Sequence, residues 1–159
     1  MPNQDSSKSV LFVCTGNTCR SPMAEGLMRL AVSGRKDVTV GSAGVAAMPG
    51  QGASGETRDL LKKNNAPLKG FKSRQVDEVV LAQATLIVAM TDSHAALVKR
   101  FFPECAGRVK MLCDFIDEDE GLAAADVPDP IGMGRAAYDE VAEVIELALA
   151  GIILELDKV

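Results

Sequence analysis

A nine-residue segment, CTGNTCRSP at residues 14–22, follows directly on an apolar run at residues 10–13. That run is short and mainly β-branched or aromatic, which predicts a buried strand. After the segment, the spacing of Met23, Leu27 and Leu30 predicts one apolar face of a helix. The segment is therefore a tight loop between a strand and a helix, which is the beginning of an α/β fold.

Three further apolar runs predict strands that are covered on both faces. They lie at residues 38–40, 86–89 and 109–112. Helical patterns separate the runs: Ser54 is placed to cap one helix, Asp92 or Ser93 another, and residues 133–154 form a long final helix. The alternation predicts a doubly wound, three-layer α/β domain in which helices flank a parallel sheet.

The loop has the residues of an anion site. Between Cys14 and Arg20 stand Thr15, Gly16, Asn17, Thr18 and Cys19. In so short a loop, successive backbone N–H groups turn inward and form a concavity for phosphate beside the following helix N-terminus. The guanidinium of Arg20 matches two phosphate oxygens, and positive surroundings favour the nucleophilic thiolate of Cys14. The hydroxyl of Ser21 is placed to donate a hydrogen bond to that sulfur.

A candidate proton donor lies far along the chain, in the segment VPDP at residues 127–130. The prolines on both sides restrict the backbone and hold the carboxylate of Asp129 at a set position. Such a carboxylic acid protonates a leaving group and later activates water. Taken alone, Asp129 is equally well explained as a turn residue or a helix cap.

Residues 10–25, VLFVCTGNTCRSPMAE, resemble the phosphate loop and first helix of the low-molecular-weight protein phosphatase family. Asp129 and Pro130 match that family's acid motif, GSAG at residues 41–44 resembles its second-strand segment, and AMTD at residues 89–92 resembles its third-strand end. The resemblance implies a four-stranded parallel sheet of order 2-1-3-4. It also implies site roles: Cys14 is the nucleophile, Arg20 the phosphate ligand, Ser21 the support of the thiol, Asn17 and Ser42 the brace of the loop, and Asp129 the general acid.

Two positions concern the substrate. Tyrosine-directed members of the family carry a bulky aliphatic residue where this chain has Thr18, and aromatic residues where it has Ile131 and Gly132. Threonine at the loop position resembles the branch that removes phosphate from phosphoarginine in proteins. The favoured interpretation is a phosphoprotein phosphatase that forms a thiophosphate intermediate and prefers phosphoarginine. The alternatives are a protein tyrosine phosphatase, an arsenate reductase and a non-catalytic phosphate-binding module.

Two positions outside the loop bear on its surroundings. Many relatives have a histidine near the place where this chain has Phe71, so Ser42 is expected to lack one hydrogen-bond partner. His94 is the only histidine, and it is expected on a helix surface or in a capping turn. A catalytic role is not assigned to His94, since the mechanism requires no histidine base.

The four cysteines have different expected roles. Cys14 and Cys19 lie five positions apart in one loop, so a reversible disulfide between them is geometrically reasonable and would protect Cys14 from over-oxidation. Cys113 is expected at the end of a buried strand. Cys105 is expected in a surface loop, which disfavours a thiol relay from Cys14 and hence the arsenate reductase alternative.

Composition limits the partners and the compartment. At 159 residues the chain suits one domain, expected at residues 9–159 after a flexible tail at residues 1–8. A net charge of −5 argues against nucleic acid, and the sequence has no membrane-length apolar run. We therefore expect a cytoplasmic enzyme, monomeric or weakly dimeric, that acts on phosphorylated proteins and requires no metal or other cofactor.

Overall fold

The computed structural model describes residues 7–122 and 125–159. The predicted tail therefore falls mostly outside the described residues. Of its last two residues, Ser7 is exposed and Lys8 already belongs to the first strand, so the folded part begins one residue before the predicted boundary.

Four strands form one parallel sheet of order β2-β1-β3-β4, which confirms the predicted order. The strands are β1 (Lys8–Cys14), β2 (Val38–Gly44), β3 (Leu86–Ala89) and β4 (Val109–Met111). The helices are α1 (Arg20–Ala31), α2 (Gly55–Lys63), α3 (Glu78–Ala82), α4 (Asp92–Phe101) and α5 (Arg135–Asp157). Short 3-10 helices occupy Pro103–Arg108, Leu112–Phe115 and Glu118–Glu120.

The central strand β1 is buried on both faces. Because side chains alternate along a strand, Val10 and Phe12 enter one apolar core, while Leu11 and Val13 enter another on the opposite face. The first core is closed by α1, α2 and α5, and the second by α3, α4 and the 3-10 helix Pro103–Arg108. The predicted three-layer α/β architecture is thus confirmed.

Helix boundaries follow local chemistry. Ser54 caps α2 as predicted, since its Oγ accepts a hydrogen bond from the Thr57 N–H. The predicted cap of α4 was wrong by one residue: Thr91 has the extended backbone of a cap, and its Oγ1 accepts from the His94 N–H. The final helix begins two residues later than predicted because Gly134, with φ of 87°, cannot extend the helix toward its N-terminus.

The sheet order determines where a ligand can bind. β1 lies between β2 and β3, so the chain leaves β1 toward one neighbour and later returns to form the other. In such sheets ligands bind at the carboxyl ends of the strands, where the order reverses. The loop after β1 and the N-terminus of α4, which follows β3, meet at this point.

Candidate active site

The loop at residues 15–19 joins the last residue of β1, Cys14, to the first residue of α1, Arg20. Cys14 is 3% exposed and Arg20 is 6% exposed, so both are set into the floor of the site. The first N–H groups of α1 have no partner within the helix, and a helix N-terminus attracts anions. The predicted anion site therefore has the expected strand and helix on its two sides.

Asn17 fixes the shape of the loop. It is fully buried and has φ of 57°, in the left-handed region that asparagine tolerates better than most residues. Its Nδ2 donates to Ser21 Oγ at 2.8 Å and to Ser42 Oγ at 2.9 Å. Its Oδ1 accepts from the Arg74 backbone N–H at 2.9 Å. One side chain thus ties the loop to α1, to β2 and to the segment that contains Arg74.

Ser21 links this network to the thiol. Its Oγ lies 2.8 Å from Cys14 Sγ and accepts a hydrogen bond from Asn17 Nδ2. With that oxygen occupied as an acceptor, the hydroxyl hydrogen is available to the sulfur. The Ser21 hydroxyl is therefore placed to donate a hydrogen bond to the Cys14 sulfur.

Glu25 completes the network through its hydrogen bond with Ser42. This residue was not identified from the sequence. Ser42 Oγ donates to Glu25 Oε1 at 3.0 Å, and Arg29 pairs with the other carboxylate oxygen at 3.3 Å. Burial raises the pKa of Glu25, although Arg29 and the Ser42 hydroxyl oppose that shift. Only its spacing in the sequence could have indicated this role: Glu25 lies one helical turn after Ser21, on the same face of α1.

The expected effect of Phe71 was wrong. Ser42 does not lack a partner, because its hydroxyl accepts from Asn17 and donates to Glu25. Its backbone C=O also accepts a hydrogen bond from Arg74 Nε at 2.9 Å. The network behind the loop is therefore closed without a histidine near position 71.

The end of β2 packs directly against the loop backbone. The backbone N–H of Val45 donates to the Cys14 C=O, and that of Ala46 to the Thr15 C=O, both at 2.9 Å. A Cβ added to Gly44 would lie 2.4 Å from the Thr15 carbonyl oxygen, so only glycine allows this approach. By contrast, a Cβ at Gly16 would meet its nearest atom at 3.7 Å, so the space around it does not require glycine.

Arg20 brings the distant acid segment to the loop. Its Nη1 donates to the Val127 C=O at 3.0 Å, and its Nη2 lies 3.8 Å from Asp129 Oδ2. The other carboxylate oxygen of Asp129 accepts the Ile131 N–H at 3.1 Å. The Asp129 side chain is about half exposed, so it can reach a ligand in the loop while it stays near Arg20.

The two predicted specificity residues lie at different depths. Thr18 is half-buried in the loop, and its C=O accepts the Ser54 N–H at 2.8 Å, so the start of α2 holds it in place. Ile131 is 61% exposed, two residues after Asp129. Thr18 is therefore part of the loop, whereas Ile131 is a side chain of the acid segment that faces solvent.

His94 lies in the capping turn of α4, one of its two expected positions, and not on a helix surface. It is 5% exposed in the first turn of α4, and its Nε2 lies 2.8 Å from Thr15 Oγ1. Burial, and then the positive charge of Arg20, lower the pKa of His94 to about 4, while Asp126 and Asp129 oppose the shift. The amphipathic pattern of α4 could not indicate this burial, because the loop covers His94 only in the folded chain.

We expect the imidazole of His94 to titrate with a pKa of about 4. An unfolded chain binds this proton near pH 6.5, so acid favours unfolding. The contribution of His94 to the free energy of unfolding is complete above about pH 6.5 and is lost as the pH falls toward 4. Because this is the only histidine, its imidazole signals in an NMR pH titration need no assignment. Titration near pH 6.5 in the folded protein would contradict the burial.

The four cysteines are free and buried. Cys19 lies 3.5 Å from the Tyr138 hydroxyl, and burial followed by this contact raises the pKa of Tyr138 to about 12. Cys113 is buried immediately after β4, in the 3-10 helix that follows it. A reversible disulfide between Cys14 and Cys19 stays a prediction.

The expected surface position of Cys105 was wrong. Cys105 is 3% exposed, its Sγ donates to the Phe102 C=O, and burial raises its pKa. It belongs to the core on the opposite face of the sheet from Cys14. The sheet therefore separates the two thiols, and this separation opposes a thiol relay more directly than surface exposure would.

Residues 7–122 and 125–159 lack both a metal-binding cluster and a membrane-spanning helix. Among these residues, His, Cys, Asp and Glu side chains form no group of three or more that could hold a metal ion. Within the same ranges, no helix has both the length and the apolar character needed to span a bilayer.

The chain is similar in sequence to a known protein family and to several of its members. A family model described as low molecular weight phosphotyrosine protein phosphatase matches residues 9–159. The protein-arginine-phosphatase of Geobacillus stearothermophilus is 37% identical over 137 residues, which cover 86% of this chain and 90% of the relative. The low molecular weight protein-tyrosine phosphatase A of Mycobacterium bovis is 40% identical over 147 residues, which cover 90% and 88%.

A solved structure adds a chemical detail. The arginine phosphatase YwlE, as a cysteine-to-serine mutant with a phosphorylated active site serine, superposes with a TM-score of 0.85 at 30% identity. The match covers 94% of this chain and 96% of that chain. In that relative, the residue that replaces the active site cysteine carries a phosphoryl group.

Proposed function

The chain belongs to the low molecular weight phosphotyrosine protein phosphatase family, and we propose that it hydrolyses phosphoarginine in proteins through a phosphocysteine intermediate on Cys14. The main support for the proposal is that Cys14 and Arg20 flank one loop and that Arg20 brings Asp129 next to it. Ser21 Oγ lies 2.8 Å from the Cys14 sulfur, and Arg20 links the loop to Asp129. A nucleophile, an anion ligand and an acid thus meet at the carboxyl end of β1.

In the first step the Cys14 thiolate attacks phosphorus. A sulfur–phosphorus bond forms, and the bond from phosphorus to the leaving nitrogen or oxygen breaks. The backbone N–H groups of residues 15–20 and the Arg20 guanidinium hold the three equatorial phosphoryl oxygens. Asp129 acts as the general acid and gives a proton to the leaving group. The proposal gives the loop residues Thr15, Gly16, Asn17, Thr18 and Cys19 this phosphate-binding role.

In the second step water releases the phosphoryl group. Asp129, now a carboxylate, takes a proton from water as the water oxygen attacks phosphorus. The sulfur–phosphorus bond breaks, inorganic phosphate leaves and the Cys14 thiolate returns. Ser21 stabilises the departing thiolate by donating its hydroxyl hydrogen, since Asn17 occupies the hydroxyl oxygen.

The proposed preference for phosphoarginine depends on Thr18, because relatives of both kinds are similarly identical to this chain. A protein-arginine-phosphatase shares 37% of the aligned residues and a protein-tyrosine phosphatase shares 40%. Phosphotyrosine is therefore the second candidate. Thr18 is held in the loop by the N-terminus of α2, where a small side chain with a hydroxyl leaves room for a planar guanidinium and offers it a hydrogen bond.

The parent protein is expected to have a higher kcat/KM for a phosphoarginine peptide than for the matched phosphotyrosine peptide. Thr18→Ile is expected to lower kcat/KM for phosphoarginine by about tenfold or more, and to shift the ratio of the two substrates toward phosphotyrosine. Steady-state assays with both peptides measure the ratio.

Two smaller changes separate size from hydrogen bonding at Thr18. Thr18→Val keeps the shape and removes the hydroxyl, whereas Thr18→Ser keeps the hydroxyl and removes a methyl group. A loss in both Thr18→Val and Thr18→Ile, with retention in Thr18→Ser, assigns the preference to the hydroxyl. A parent that prefers phosphotyrosine, or a ratio that Thr18→Ile leaves unchanged, would overturn the role given to Thr18.

The proposal treats residues 9–159 as one catalytic domain, and the family model that spans the same residues supports it. It also assigns the enzyme to the cytoplasm, as a monomer or weak dimer that acts on phosphorylated proteins. Four free, buried cysteines suit a reducing compartment. The net charge of −5 on the chain disfavours nucleic acid as a partner.

A further inference from the structure

The buried histidine of α4 contacts the residue that follows the nucleophile. His94 Nε2 lies 2.8 Å from Thr15 Oγ1. His94 is 5% exposed, whereas Thr15 is exposed at the mouth of the site. The hydrogen bond to Thr15 therefore links the buried imidazole directly to the exposed part of the loop.

The backbone of His94 and that of Thr15 are each held by a hydrogen bond. The His94 backbone N–H donates to Thr91 Oγ1 at 3.1 Å, which fixes the first turn of α4. The backbone C=O of Thr15 accepts a hydrogen bond from the Ala46 N–H at 2.9 Å. Thr15 is thus held from two directions, by the residues after β2 through its backbone and by α4 through its side chain.

The second ring nitrogen determines the tautomer. His94 Nδ1 is buried and has no hydrogen-bond partner among the described residues. A buried N–H without an acceptor is rarer in proteins than an unused acceptor lone pair. The favoured neutral tautomer therefore carries its hydrogen on Nε2 and donates it to Thr15 Oγ1. The hydroxyl hydrogen of Thr15 is then left free.

We propose that His94 is a positioning residue for the phosphate loop: its Nε2–H holds the Thr15 side chain so that the hydroxyl hydrogen and the adjacent backbone N–H face the phosphoryl group at Cys14. This inference rests on the proposed phosphatase function. Three charged groups act on the imidazole: Arg20 opposes its protonation, and Asp126 and Asp129 favour it. With a pKa of about 4, His94 is neutral near pH 7. It is not assigned a catalytic role, because its side-chain hydrogen bond is to Thr15 and not to Cys14, Arg20 or Asp129.

The first test compares three substitutions at His94 in assays with para-nitrophenyl phosphate. His94→Leu removes the donor and is expected to lower kcat/KM by about tenfold. In His94→Gln the amide nitrogen lies the same number of bonds from Cβ as Nε2 does in histidine, so its N–H can replace the donor. This variant is expected to keep activity within about threefold of the parent. His94→Asn is one bond shorter and is expected to behave like His94→Leu. Ser93→Ala, exposed on the same helix turn, is the matched control.

Inhibitors distinguish positioning from a general structural effect. Orthovanadate imitates the five-coordinate transition state, whereas inorganic phosphate imitates the ground state. His94→Leu is expected to weaken inhibition by orthovanadate more than inhibition by phosphate. An equal loss for both ions would overturn the positioning role. If His94→Leu does not fold, the comparison of His94→Gln with His94→Asn gives the same contrast.

A double-mutant cycle tests whether His94 acts through Thr15. Thr15→Val removes the hydroxyl at nearly constant shape. If the hydrogen bond carries the effect, His94→Leu causes no further loss of kcat/KM in a Thr15→Val background. Losses that multiply would show that the two residues act independently, and would overturn the proposal.

A spectroscopic measurement is independent of catalysis. ¹⁵N NMR of the only histidine near pH 7 is expected to show a protonated Nε2 and a bare Nδ1 in the parent, with the Nε2 shift altered in Thr15→Val. The opposite tautomer would overturn the inference even in an active phosphatase. A parent that hydrolyses neither para-nitrophenyl phosphate nor phosphopeptides would instead overturn the proposed function, while the NMR signal still reports the His94–Thr15 bond.

Discussion

Cys14→Ser is expected to abolish turnover, with kcat on para-nitrophenyl phosphate lowered by at least about 10⁴-fold. A serine hydroxyl ionises far less readily than a thiol, and one hydrogen bond from Ser21 cannot make it a comparable nucleophile. The fold should persist, because serine replaces cysteine at nearly equal volume. Thermal unfolding and circular dichroism check the fold, and a spectrophotometric assay checks turnover.

Two observations make the Cys14→Ser result specific. The variant should still bind inorganic phosphate, since the loop N–H groups and Arg20 remain, and titration calorimetry measures that binding. Cys105→Ala is the matched control, because Cys105 lies in the core on the other face of the sheet and should retain parent activity. Full activity in Cys14→Ser would remove the thiolate from the mechanism.

Asp129→Asn is expected to lower kcat by roughly 10² for a substrate with a poor leaving group, such as phenyl phosphate. Asparagine keeps the shape but cannot donate a proton to the departing oxygen. The loss should be smaller for para-nitrophenyl phosphate, whose leaving group needs little protonation. Transfer to Cys14 can be followed separately from its hydrolysis by the burst of para-nitrophenol in rapid mixing.

Asp126→Asn supplies the control for Asp129. Asp126 lies on the same segment and loses the same charge, but its Oδ1 accepts the Asp92 N–H, whereas Asp129 pairs with Arg20. We expect Asp126→Asn to cost only a few-fold in kcat, with no dependence on the leaving group. Equal effects of the two substitutions, or an Asp129→Asn loss independent of the leaving group, would show that Asp129 acts only through its charge.

The local parts of the fold and site could be predicted because short-range chemistry determines them. The strand-loop-helix at residues 10–30 follows from one apolar run, one loop and one amphipathic pattern. Ser54 caps α2 as predicted because a cap bonds to a residue only three positions away. The α4 cap, by contrast, was misplaced because Thr91, Asp92 and Ser93 all have side chains that cap well.

The errors share a different cause. The burial of His94 and Cys105 was not predicted, and Glu25 was not identified as part of the site. Burial depends on which distant segment covers a side chain. His94 is covered by the loop after β1, and Cys105 by the core under α3 and α4. Glu25 is paired with Ser42, a residue on another strand. No periodicity in the chain reports such partners.

The amino-acid sequence alone indicates the proposed nucleophile, the proposed anion loop and a stiff segment with the proposed acid, since each is a short run whose chemistry depends on adjacent residues. Only the tertiary structure joins them, because the order β2-β1-β3-β4 brings the loop after β1, the start of α4 and the acid segment to one edge of the sheet. It also decides how the loop is held: Asn17 and Ser42 from behind, Arg20 toward Asp129, and His94 on Thr15. These contacts exist only after folding, since each joins residues that are distant in the chain or on different elements.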